Sequence, residues 1–454
     1  MHTQDLTSGN TFYTLTKLSI PLLLGNILFA SYSIISIVWI GHLIGKDALG
    51  AVAIGTEFIS FIIALGNGAS TGITALISNY YGAQKYNDVK RITIHSILLT
   101  VVIIVITNLL CILNLDTILA WLNTPNEILS LTKSYIKISM ISTIFMYLYL
   151  VFSAVLRGIG NVILPMIFIG IATIINIILD PLLILGIGPL PKLGLNGTAY
   201  ASIFSQGSIF LIVCIYLIKN FKIFNLKKRH FKISLTTIIE IFKISFPSML
   251  QRSIMSIGSM MVISYVNALD VCAISAFSVA SNIDILITTP SNSISVAVSS
   301  ITGQCIGANK KNKIKEIFKY GNFLSIPVVI TITILSLTCP KFMLSIFTND
   351  INVQHTGTIY LHIVSLGYVA FSMTAIASGI LIGMKDTIKP MLFTLIGLWV
   401  VRVPLASVLS KGPLGFKGIC ISILLSTIVV MFLNIIYYFY KMSKFIPISD
   451  NKKS

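Results

Sequence analysis

Twelve apolar stretches of roughly 20 residues or more recur along this 454-residue chain, separated by Gly, Pro, Asn or basic clusters. A stretch of that length crosses a hydrocarbon core about 30 Å thick, and in lipid only helices and closed barrels satisfy every backbone group. Runs this long and continuous are helices. They fall near residues 15–41, 49–79, 93–115, 128–154, 164–187, 195–218, 238–266, 272–303, 317–338, 354–382, 389–410 and 415–439. With 55% hydrophobic and 10% charged residues the composition excludes a soluble globular domain. The expected fold class is an all-α integral membrane protein. Its first 14 residues are polar and its first span lacks a small-residue cleavage pattern, so no cleaved leader is expected.

The chain also repeats itself about 225 residues apart. KLSIPLLL (Lys17 to Leu24) returns as KISFPSML (Lys243 to Leu250), and YYGAQK (Tyr80 to Lys85) as CIGANK (Cys305 to Lys310). LRGIGNVILPM (Leu156 to Met166) returns as LIGMKDTIKPM (Leu381 to Met391), and LGLNG (Leu193 to Gly197) as LGFKG (Leu414 to Gly418). Four anchors in one order imply duplication, and a duplicated membrane domain commonly places a substrate path between its halves. The expected division is a tail at 1–14, a six-helix bundle at 15–218, a basic linker at 219–237, a second six-helix bundle at 238–439 and a tail at 440–454. Met1 to Asn10 and Ser449 to Ser454 read as frayed ends.

A net charge of +18 could suggest nucleic acid, but the basic residues sit in short loops between spans. Alternate connections, counted from the N-terminus, hold 23 Lys and Arg, including Lys85, Lys90, Arg91, Lys227, Lys228, Arg229 and Lys310 to Lys319. The opposite set holds 7. By the positive-inside rule both termini are cytoplasmic, in a cell-membrane protein. The loops after Gly82 and Gly307 are both basic, so the repeat is parallel, about an axis along the membrane normal. The linker is expected to meet anionic lipid head groups. No nucleic-acid partner is expected.

Cys111, Cys214, Cys272, Cys305, Cys339 and Cys420 lack CxxC or Cys/His spacing and read as small core residues. The histidines show no metal-ligand spacing. Walker A and GxSxG sequences are absent, so no ATP hydrolysis or acyl chemistry is expected and active transport would draw on an ion gradient. No cofactor and no enzyme activity are expected.

Ionisable groups inside spans are costly and mark function. In INIILDPLLI of the fifth span, Asn176 and Asp180 lie four apart on one helix face, and Pro181 removes a backbone donor beside them. A carboxylate, an amide and a freed carbonyl suit a proton or a Na+ ion at Asp180 and Asn176; capping of a broken helix, or pairing with a buried donor, is the alternative for Asp180. Glu57 and Asp284 are candidates for attracting a cationic substrate in a central cavity, or else span-end residues paired with a base. Arg252 and Arg402, the two arginines inside spans, are expected to snorkel or pair with these acids.

Several of these segments together resemble the multidrug and toxic compound extrusion (MATE) transporters. YSIISIVWIGHLIGKDALGAVAIG (Tyr32 to Gly55) is similar to the family's opening signature, and GITALISNYYGA (Gly72 to Ala83) and VSSITGQCIGA (Val298 to Ala308) to its paired loop motifs. LRGIGN, NIILDP and LGLNGTAYA extend the resemblance over nearly the whole chain. It implies two six-helix bundles around a cavity that opens alternately to either side. It also implies export of organic, cationic amphipathic compounds in exchange for H+ or Na+, by a secondary transporter; a monomer is expected. The family's ion site maps onto Asn176, Asp180 and Thr198, while Ser36 stands where the family usually carries an Asp. A serine can donate or accept a hydrogen bond but brings no second charge. A lipid-linked oligosaccharide flippase of the same superfamily and a membrane sensor that does not transport are the alternatives.

Overall fold

The computed structural model describes residues 5–121, 124–188, 191–220 and 232–445. Most of the expected linker, with Lys227, Lys228, Arg229 and His230, lies outside the described residues, as do the two extreme ends. The described residues form helices and turns only.

In the first half these are α1 (Thr11–Leu43), α2 (Lys46–Gly82), α3 (Tyr86–Leu113), the short α4 (Leu115–Trp121), α5 (Asn126–Gly158), α6 (Ile163–Leu185) and α7 (Leu195–Asn220). The second half holds α8 (Leu235–Asn267), α9 (Val271–Gly307), α10 (Lys313–Thr338), the short α11 (Pro340–Ser345), α12 (Ile351–Val364), α13 (Tyr368–Gly383), α14 (Ile388–Leu395), α15 (Val403–Lys411) and α16 (Gly415–Phe445). A 3₁₀ turn at Ser365–Gly367 joins α12 to α13, and a π-helical turn at Ile396–Arg402 joins α14 to α15, so each pair serves as one span.

Eleven spans among the described residues are long and apolar enough to cross a bilayer. The twelfth, α8, has 33 residues but carries Glu240, Lys243, Gln251, Arg252 and several serines. Ser248, Gln251, Arg252 and Ser259 of this helix line an internal cavity, which helps a span of that composition to be tolerated. The chain is therefore a multi-pass membrane protein of twelve transmembrane helices in two repeats. Apolar residues face outward as well as inward: Leu98, Val102, Val105 and Leu109 form an exposed row along α3, the surface lipid would cover.

Side chains set the helix starts. Asn10 accepts from the amides of Phe12 and Tyr13 at the head of α1, and Ser234 accepts from Thr237 at the head of α8. Asp270 and Asp350 cap α9 and α12 in the same way. The repeat is visible in the backbone. Gln84 after α2 and Asn309 after α9 both take φ 58°, while Gly160 after α5 and Lys385 after α13 take φ 84° and 62°. These left-handed residues stand at matched positions of the duplicated motifs and end their helices by the same turn.

α2 and α9 cross near the internal axis. A Cβ on Gly82 would lie 2.1 Å from the Gln304 carbonyl oxygen, and one on Gly307 would lie 2.0 Å from that of Asn79. The contact is reciprocal, each glycine meeting the residue equivalent to its partner's neighbour, as a two-fold relation requires. Only glycine permits backbones this close.

The N-terminal segment departs from expectation. Leu6 and Thr7 are buried, the Leu6 amide donates to Gln304 Oε1 at 3.1 Å, and Lys310 Nζ donates to the Thr7 carbonyl at 3.0 Å. Asp5 to Asn10 is thus packed onto the second half, because its backbone groups find fixed partners there. Leu15 and Leu18 of α1 continue the attachment, buried in one core cluster with Ile294, Ile301 and Ile380. Further along, α1 packs on α6 of its own half.

Candidate ion and cargo sites

α6 presents Asn176 and Asp180 on one buried face; they are 1% and 0% exposed. Pro181 follows and leaves the carbonyl four residues earlier without its helical donor. Neither Asp180 oxygen, nor Asn176 Nδ2, has a hydrogen-bond partner among the described residues. Ser36 of α1 stands beside the Asp180 carboxylate, but not in hydrogen-bond geometry. Thr198, 3% exposed at the start of α7, donates instead to the Leu195 carbonyl at 2.9 Å. Tyr135 of α5, which the sequence pattern did not single out, is buried within electrostatic reach of Asp180. A buried carboxylate with both oxygens unpaired is costly, so the arrangement suits a proton or a hard cation such as Na+.

The second half contains a cavity of about 310 Å³ between α8, α9, α13, the π-helical turn and α16. Asp284, Arg252 and Arg402 are the charged residues on its wall. The Tyr360 hydroxyl donates to Asp284 Oδ2 at 2.5 Å, and the Tyr368 hydroxyl donates to Oδ1. Arg402 lies within electrostatic reach of Asp284. Its direct partners are neutral: Nε donates to Ser426 Oγ at 2.7 Å and Nη2 to Thr427 Oγ1 at 3.3 Å. The π-helical turn ends at Arg402, and such turns often mark functional positions in helices. Glu57, the other cavity candidate, is exposed on α2 and is not on this wall.

A third cluster joins the halves at the end carrying the basic loops. The Tyr80 hydroxyl of α2 donates to Glu240 Oε2 of α8 at 2.9 Å. Lys385 pairs with Glu240 Oε1 at 3.3 Å and lies 4.6 Å from the centre of the Tyr80 ring. Nearby, Gln304 Nε2 of α9 donates to the Gly158 carbonyl of α5 at 2.9 Å. Glu240 stands near the start of α8, and its partners Tyr80 and Lys385 come from distant parts of the chain.

The MatE family model matches residues 21–182 and again 247–408, the spacing of the internal repeat. The chain belongs to the MatE family. Among its relatives, the probable multidrug resistance protein YoeA of Bacillus subtilis is 28% identical over 415 residues, covering 90% of this chain and 89% of YoeA. YpnP of the same organism, also a probable multidrug resistance protein, is 28% identical over 450 residues, covering 97% of each. A solved MOP superfamily transporter from Pyrococcus furiosus superposes with a TM-score of 0.90 at 21% identity, over 98% of both chains. This MatE chain therefore shares the fold of that transporter over 98% of its length, and the relatives it matches are named as multidrug resistance proteins.

Proposed function

We propose that this MatE protein is a cation-coupled antiporter of the cell membrane, with both termini cytoplasmic, that exports organic amphipathic compounds by alternating access. The names of its relatives support multidrug export, and the family resemblance brings cationic compounds into the cargo class. The observation that carries the coupling is the Asp180 carboxylate, 0% exposed in the membrane with both oxygens unpaired among the described residues. It binds H+ or Na+, with Asn176 on the same helix face and Ser36 beside it as neutral neighbours; Thr198 joins them on the family resemblance. Ser36 fits this role without a second charge, so one ion charge balances one carboxylate.

The basic-loop ends of α2, α8 and α9 are locked together by Gly82, Gly307 and the Tyr80–Glu240–Lys385 cluster. With those ends cytoplasmic, the conformation described is closed to the cytoplasm. Ion binding to Asp180 changes the relative free energy of this state and the opposite one, which is how an ion gradient drives cargo. Ethidium efflux from cells lacking their own pumps tests the proposal. Wild type extrudes the dye, and Asp180→Asn, expressed to the same level, does not; retained efflux removes Asp180 from the mechanism.

A further inference from the structure

Three formal charges face the C-terminal cavity, and none is neutralised by a direct ion pair among the described residues. Asp284 spends both carboxylate oxygens on the phenols of Tyr360 and Tyr368. Arg402 gives two of its five N–H donors, one from Nε and one from Nη2, to the hydroxyls of Ser426 and Thr427. Arg252 is exposed on the cavity side of α8 and finds no hydrogen-bond or ion-pair partner among the described residues. Two guanidiniums against one carboxylate leave a net positive wall in a low-dielectric setting, where field lines are focused. A guanidinium is always charged and its fork of donors matches carboxylate and phosphate oxygens. Met255, Phe371, Leu398 and Val430 supply apolar wall beside these charges. The volume, about 310 Å³, falls at the lower end of small-molecule pockets.

We propose that this cavity binds the oxyanion group, carboxylate or phosphate, of an amphipathic organic ligand, with Arg252 and Arg402 as its recognition residues. The ligand is a free organic anion or the head group of an anionic lipid, since both present the same chemistry. Asp284, tied to its tyrosines, sets the wall's net charge and repels a second anion. The assignment rests on the exporter reading for the ligand's exit, but its test needs binding alone.

Two probes with one fluorophore separate the signs of charge: dansylglycine carries a carboxylate and dansylcadaverine an amine. Binding of each to the full chain in phosphatidylcholine nanodiscs is expected to favour dansylglycine. Arg252→Gln and Arg402→Gln are each expected to weaken dansylglycine by about tenfold or more, the loss of a charge-assisted hydrogen bond. Arg402→Lys keeps the charge and is expected to retain more affinity than Arg402→Gln. Asp284→Asn is expected to tighten dansylglycine, which a general loss of structure would not do. Should Arg402→Gln fail to fold, the exposed Arg252 still carries the test. Adding phosphatidylglycerol distinguishes the sources: Arg-dependent competition assigns a lipid head group, and its absence assigns a free organic anion. Tighter binding of dansylcadaverine, or dansylglycine affinity unchanged in both arginine variants, overturns the proposal. Failure of the exporter reading looks different: dansylglycine binds as expected, yet no gradient moves any cargo.

Discussion

Asp284 is held in its span by two phenols, and each supplies a hydrogen bond to an ionisable group. Such bonds contribute about 1.5–3 kcal/mol when buried, and the partial exposure of Asp284 to the cavity reduces this to about 1–2 kcal/mol. Tyr368→Phe is expected to lower the thermal unfolding midpoint in detergent by that free energy. Combined with Asp284→Asn the loss should be smaller than the sum, because the phenol then faces a neutral group. An additive result would show that Tyr368 acts through packing alone. The residue scale is also where sequence reasoning was most uneven. Asn176 and Asp180 are four apart on one helix, so their shared face follows from helical periodicity. Tyr360 and Tyr368 are 76 and 84 residues from Asp284, and only the packing of α12 and α13 against α9 brings them together.

The α2–α9 crossing and the Tyr80–Glu240–Lys385 cluster hold one end of the molecule shut. Gly82→Ala or Gly307→Ala would push a methyl group into a facing backbone oxygen, and neither backbone can retreat without separating the helices. Both are expected to populate a conformation opened at that end. Spin labels at Lys85→Cys and Asn312→Cys, both exposed, would report a longer distance component. An unchanged distance distribution would contradict the closure. Tyr80→Phe removes one hydrogen bond of the cluster, about 1 kcal/mol, and should shift the same equilibrium by roughly fivefold.

The N-terminal clasp has a pH dependence of its own. Burial raises the Asp5 carboxyl, but the Thr7 hydroxyl and amide, the Ser8 hydroxyl and Lys310 outweigh it and hold Asp5 below the ordinary value of 3.8. A depressed carboxylate stabilises the folded clasp above that value, and the contribution is lost as pH falls through the lower folded value. Hydrogen exchange of the Leu6 and Thr7 amides is expected to accelerate only on strong acidification, with Asp5→Asn abolishing the step. Exchange rates indifferent to Asp5→Asn would sink this account. Span positions were legible because length and apolarity suffice to mark a crossing helix. The clasp was not, since a polar segment reads as a free end until Gln304 and Lys310 are placed beside it. The turns that break the tenth and eleventh spans were equally silent, because both are set by neighbouring helices.

Duplication gives the whole molecule its symmetry, and the four sequence anchors already contained it. The matched left-handed caps and the reciprocal Gly82 and Gly307 contacts are its physical expression. The two halves differ in their charges. Among the described residues, the first buries the Asp180 carboxylate with unpaired oxygens, while the second opens a cavity walled by two guanidiniums and a phenol-bound acid. Symmetry supplies two bodies that can rock about one axis; in the proposed mechanism the difference in charge gives ion coupling to one and ligand recognition to the other. The measurement that bears most directly on this division is dye flux in proteoliposomes with Na+ and pH gradients imposed independently, for wild type and Asp180→Asn. At least one gradient should drive wild-type flux against the dye's concentration, and Asp180→Asn should abolish that response while leaving the protein folded. Equal gradient-driven flux in the variant, or no response of the wild type to either ion, would contradict it.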